Sequence, residues 1–120
     1  MSDSPEALKK RTKQFALRII RMVESLPKSQ TSDVIGKQVL HSRTSVGANY
    51  RAACRARSDA EFRSKMGIVE EEFDETTFWI ELLIEAGIVR HKRLEPLLNE
   101  SNELTAIAVA SIRTSKLRKR

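Results

Sequence analysis

The sequence predicts an all-α protein, an antiparallel up-down four-helix bundle, and three observations carry that prediction. Apolar residues recur at steps of three and four along nearly the whole chain, the period of a helix face and not of a strand. Only four Gly and three Pro are present, too few for the many turns of an all-β fold. The chain has 120 residues, 40% apolar and 32% charged, which fits one soluble domain over 1–120 with its own core.

Each helix has its own signals. Ser4 is a candidate N-cap for the first, with Pro5 at the first helical position and Glu6 near the positive helix end. Leu8, Thr12, Phe15, Ile19, Met22 and Leu26 form its apolar stripe, and Pro27 ends it. The second helix starts near Ser29–Ser32, with a stripe of Ile35, Val39, Ser42, Val46, Asn49, Ala53 and Ala56. Ser58 and Glu61 read as a capping box opening the third, in which hydroxyl and carboxylate satisfy each other's exposed amides. Its stripe is Phe62, Met66, Val69, Phe73, Thr76, Ile80 and Leu83, in heptad register, and it stops around Gly87. The fourth begins near Lys92–Leu94, carries Leu94, Leu97, Ser101, Leu104, Ala108 and Ile112, and frays into a basic tail at about 115–120. Pro96 falls in its first turn or so, where proline is tolerated. Short connections and stripes near a 3.5-residue period give the bundle.

The second helix places small residues opposite bulky ones of the third, which keeps packing dense while the helices approach closely. Asn49 interrupts its apolar stripe, so its amide needs a partner; a hydrogen bond to a neighbouring helix that fixes register is the favoured role over a binding or catalytic one. Charge is uneven. Ser58–Ile88 holds two bases against nine acids, whereas the other three segments are each net basic, and the whole chain carries +6. Arg51 and Arg55, four apart on one face, are expected to pair with some of Glu70, Glu71, Glu72, Asp74 and Glu75. Ala16, Ile20 and Val23, Phe78, Trp79 and Leu82, and Ile107, Val109 and Ala110 exceed one stripe per helix, and that surplus suggests a homo-oligomer.

Catalytic chemistry is hard to build from these residues. The acidic run Glu70–Glu75 invites a metal reading, but bundle di-metal sites want Glu-x-x-His pairs, and the sequence has none. His41 and His91 lack ligand spacing, and no phosphate-binding glycine loop is present. Cys54, the single cysteine, excludes an internal disulfide and is expected to be a small buried group. No enzymatic activity, metal or cofactor is expected. The N-terminus lacks the apolar stretch of a signal peptide and no run is long enough to span a membrane, so the expected location is the cytoplasm.

The runs SVGANYRAACRARSDAEFRSKM and VEEEFDETTFWIELL resemble the four-helix-bundle proteins encoded in intervening sequences of bacterial 23S ribosomal RNA genes. The resemblance runs from about Phe15 to Arg113 and is sharpest at Ser45, Ala48–Ala52, Arg55–Ser58, Glu61, Phe62 and Lys65. It implies a small basic bundle assembled as a pentameric ring. The accessory proteins of diversity-generating retroelements look like relatives, and they imply nucleic acid and a reverse transcriptase as partners.

Two functions follow from this reading. In the first, a homo-oligomeric ring binds RNA or DNA through backbone phosphates without strong sequence preference. Its candidate contacts are Lys9, Lys10, Arg11, Lys13, Arg18, Arg43, Arg51, Arg55, Arg57, Arg113, Lys116 and Arg118, with Asn49, Ser58 and Glu61 as structural motif residues. In the second, the arginines pair internally with the acidic third helix, and the assembly is a scaffold for a protein such as a polymerase.

Overall fold

The computed structural model describes residues 4–118, with backbone alone for Ser42–Ser45 and Arg118. The stripe position Ser42 and the candidate contacts Arg43 and Arg118 therefore lie outside the described residues as side chains. Four helices follow in order: α1 (Pro5–Glu24), α2 (Gln30–Cys54), α3 (Asp59–Glu85) and α4 (His91–Arg118). No strand occurs among the described residues.

Three serines start three of the helices. Ser4 Oγ accepts from the Ala7 amide at 3.1 Å, Ser29 Oγ from Ser32 at 3.0 Å and Ser58 Oγ from Glu61 at 3.0 Å. Each takes up one amide that the first helical turn leaves without an intrahelical acceptor. The expected reciprocal half of the capping box is displaced by one residue. The Glu61 carboxylate reaches past Ser58 to accept from the Arg57 amide at 3.1 Å. α3 ends in a Schellman turn. Gly87 takes a φ of 74°, where a side chain would be strained, and the Ile88 amide donates back to the Leu83 carbonyl at 3.0 Å.

α4 departs from expectation at its C-terminal end. It starts at His91, and instead of fraying at Ser115 it continues to Arg118. Ser115 is 0% exposed, and its hydroxyl accepts from Arg63 Nη1 of α3 at 3.3 Å. That tertiary bond holds the last turns in place, and propensity read along the chain does not contain it. Pro96 lies inside α4 as well. The carbonyl it leaves without an intrahelical donor belongs to exposed Lys92, where water can replace the bond.

The expected stripes form the core. Leu8, Phe15, Ile19 and Met22, then Ile35, Val39, Val46 and Ala53, are buried against Met66, Val69, Phe73, Ile80 and Leu83 and against Leu94, Leu97, Leu104 and Ala108. Leu26, Phe62 and Ile112 are half-buried at its margins. Phe15 and Phe73 meet edge to face with ring centroids 5.8 Å apart, a geometry aromatic quadrupoles favour. α1 and α3 each pack along α2 and α4. The diagonal helices do not approach backbone to backbone among the described residues, and the Phe15–Phe73 ring pair bridges α1 to α3 across the core. The result is an elongated bundle of 52 × 23 × 20 Å. Close approach of α1 and α2 depends on Gly36, where a Cβ would come within 3.1 Å of Val23 Cγ1.

Polar bonds link the helices in register. Thr77 and Ser101 hydroxyls lie 2.9 Å apart, and Arg93 Nη2 donates to Ser25 Oγ at 3.3 Å. Asn49 has the structural role expected of it: its Nδ2 donates to both oxygens of Glu72, at 3.0 and 3.1 Å, tying α2 to α3.

Tyr50, absent from the predicted stripe, is buried with 5% exposure. Burial pushes its phenol well above the ordinary value of 10.0, and its hydrogen bond with Cys54 adds to the shift. The folded chain therefore holds this proton after the unfolded chain has released it. Stability is retained below about pH 10 and declines as pH rises beyond it. As the one tyrosine, Tyr50 can be followed by tyrosinate absorbance at 295 nm. No native titration is expected near pH 10, and Tyr50→Phe should flatten the alkaline loss of stability. A normal titration in the folded protein would place Tyr50 in water.

Candidate nucleic-acid interface

The helices bring one group of cations to one end of the bundle. Leu8 of α1, Tyr50 and Ala53 of α2, Asp59 and Phe62 of α3 and Ser111 of α4 line a common groove of about 470 Å³ at that end. Lys10 and Lys13 from α1, Arg51, with Arg55 and Arg57 just beyond α2, and Arg113 and Lys116 from α4 surround it or lie within a few turns. All seven are exposed, and none has an ion-pair partner among the described residues. Arg51 also lies in the last turn of α2, where a positive charge favours the helix dipole by about 0.3–1 kcal/mol. Arg18, also exposed, stands apart near the middle of α1.

A second groove, of about 280 Å³, runs between α1 and α2. Lys9, Lys13 and Arg51 flank it, Ala16, Gly47 and Ala48 line it, and no acidic residue contributes among the described residues. Lys9 also has Glu6 at 3.5 Å, an exposed pair of the kind worth little in water.

Two expectations need correction. Arg11 is not part of the free basic surface. Its guanidinium grips Glu100 of α4 in bidentate fashion, Nε to Oε2 at 3.1 Å and Nη2 to Oε1 at 2.7 Å, and also meets Glu103. Arg11 lies on the α4 side of α1, so its charge is consumed in the seam between those helices. The expected pairing of Arg51 and Arg55 with the acidic helix does not occur among the described residues. Arg51 lines the groove shared with α1, whereas the α3-facing side of α2 carries Asn49, which takes Glu72. Among the described residues, the ion pairs that join helices run from Arg11 of α1 to Glu100 and Glu103 of α4.

The surplus apolar residues divide as well. Phe78 is 54% exposed, stacked edge-on against Trp79 at 5.0 Å, and the Trp79 indole donates to Glu75 at 3.3 Å. Ile20, Val23, Leu82, Ile107 and Val109 are half-buried at the bundle margins. Leu17, Ile68 and Leu117, absent from the sequence reading, are also exposed. Among the described residues no three His, Cys, Asp or Glu side chains gather as a metal site, and no helix is long and apolar enough to cross a membrane.

Together these features define a small, basic, all-helical bundle protein with one group of exposed cations at the end where α2 stops and α3 starts; Arg21, Lys28, Lys37, Arg90 and Lys92 are exposed toward the other end. The chain belongs to the 23S rRNA-intervening sequence protein family, whose profile matches residues 7–110, as the SVGANYRAACRARS segment suggests. A crystal structure of a protein of unknown function from the S23 ribosomal protein family of Bacteroides thetaiotaomicron is similar to it, with a TM-score of 0.83 and 35% identity. That match covers 91% of this chain and 97% of the other. No curated protein matches the chain.

Proposed function

We propose that this protein is a non-enzymatic, homo-oligomeric nucleic-acid-binding protein of the cytoplasm that grips RNA or DNA by backbone phosphates without reading sequence. The observation that carries the reading is the cationic end, where side chains from three helical segments converge without internal partners among the described residues. Such an end attracts a polyanion and releases its counterions. The lone tyrosine is buried, and Phe78 and Trp79 lie on α3 among acidic residues. Half-buried Phe62 is the aromatic beside the cations among the described residues that keeps some exposure, which favours phosphate contact over extended base stacking.

The contacts Arg63 to Ser115 and Thr77 to Ser101 run in opposite order along α3 and α4, which supports an antiparallel up-down bundle. Exposed Phe78 and half-buried Trp79 and Leu82 supply an apolar face for self-association. In a ring, five-membered by family resemblance, each subunit would add its cations to one field and multiply the avidity. Phe78→Asp should then lower the light-scattering mass toward the 13.7 kDa of one subunit while leaving helix content intact. An unchanged mass would remove this face from the assembly.

The scaffold reading rests on Arg51 and Arg55 pairing with the acidic helix, and those pairs are missing among the described residues. A gel-shift titration with RNA and with duplex DNA at two salt concentrations tests the function. Binding that weakens steeply with salt is expected. No shift at low salt, together with a partner such as a polymerase retained after nuclease treatment, would replace this reading with the scaffold.

A further inference from the structure

We propose that the groove between α1 and α2 is a defined seat for one phosphodiester of a bound polynucleotide, with Lys9, Lys13 and Arg51 as its ligands. This deepens the proposed function and rests on it. Lys9 and Lys13 are one turn apart on α1, and Gly47 and Arg51 are one turn apart on α2, so the two rows share a groove. Two lysines and one arginine border the groove from two helices, and no acid lines it among the described residues. The exposed Lys9–Glu6 contact, at 3.5 Å, yields readily to a stronger anion.

Gly47, like Gly67 of α3, is a mid-helix glycine that neither packing nor backbone conformation requires, and it is the one of the two that lines a basic groove. It lies well inside α2, where glycine weakens a helix relative to alanine. Its φ is not positive, so no turn requires it. Packing does not require it either: the nearest atom to an added Cβ would be Thr12 Oγ1 at 3.8 Å, ordinary contact distance. This contrasts with Gly36, which α1 crowds directly. A missing side chain at 47 keeps the groove open and lets an anion sit between the cations, close to the helix surface and partly shielded from water. Charges interact more strongly there than on an open face.

The test fills the groove without changing any charge. Gly47→Leu places a better helix former on the groove floor. Ala48→Leu crowds the same groove from a position that is exposed in the free subunit, and so guards against a Gly47→Leu protein that fails to fold. Circular dichroism, thermal melting and light-scattering mass confirm that each variant is folded and assembled. The probe is a labelled RNA oligonucleotide of mixed sequence, read by gel shift across a salt series. Affinity is expected to fall about tenfold or more, and the slope of log affinity against log salt by about 0.7–0.9, the share of one phosphate. Folded variants that bind with wild-type affinity and slope would overturn the seat while leaving the proposed function standing. A wild-type protein that binds no RNA or DNA at low salt would overturn both. Vesicles of phosphatidylglycerol and inorganic phosphate are run alongside. Variant-sensitive binding to vesicles, with none to RNA, would assign the groove to a lipid phosphodiester and overturn the inference.

Discussion

Phe73→Ala is expected to lower stability by about 3–5 kcal/mol, the usual cost of emptying a buried aromatic site. Phe73 is 1% exposed on α3 and has Phe15 of α1 edge-on at 5.8 Å. Removing its ring forfeits apolar burial and leaves a void that rigid helices refill only in part. A domain of this size has a total stability of about 5–15 kcal/mol, so the variant would lose a large share of it. The thermal midpoint should fall by roughly 10–20 °C. Melts followed by circular dichroism at one fixed protein concentration provide the measurement, because self-association would also raise the midpoint. A drop of only a degree or two would mean that the ring is dispensable to the core.

The second large effect concerns binding. Replacing Lys10, Lys13, Arg51 and Arg55 together by Gln is expected to reduce the salt slope for RNA by about 2 to 3, at roughly 0.7–0.9 for each phosphate no longer neutralised, with Lys13 and Arg51 sharing one. All four are exposed and free of ion pairs among the described residues, so the folded subunit should lose no more than the roughly 0.3–1 kcal/mol that Arg51 contributes at the end of α2. Arg11→Gln gives the contrast. It should barely alter the slope, because Arg11 is committed to Glu100 and Glu103. It should cost some stability instead, because a part-buried Glu100 loses its bidentate partner. An unchanged slope in the fourfold variant would move the phosphate-binding groups elsewhere on the protein. An Arg11 variant with the larger binding defect would contradict the division between seam and free surface.

Helix existence is legible because it is a local property. Periodicity, three serine caps and the glycine after α3 each act within a few residues, and each appears in the folded chain. Sequence and structure part where an outcome depends on a residue far away along the chain. The last turns of α4 read as frayed because nothing nearby stops them fraying, yet Ser115 is held by Arg63, 52 positions away. Tyr50 escapes the pattern because it sits one position off an otherwise regular stripe, and only the neighbouring helices close over it. Gly36 and Gly47 look alike in sequence; the proximity of Val23 separates a packing requirement from an open groove.

The candidate site is legible as a set of cations but not as a place. Sequence alone determined four amphipathic helices, their core stripes, an acidic third helix and a surplus of positive charge elsewhere, because composition and period are carried by the chain itself. Tertiary structure alone decided that Arg11 is spent on α4, that Asn49 donates to Glu72, and that Lys10, Lys13, Arg51, Arg55, Arg57, Arg113 and Lys116 end up near one end. Which opposite charges meet depends on the rotation of each helix about its axis and on its neighbour. That is fixed only when all four stripes are buried at once.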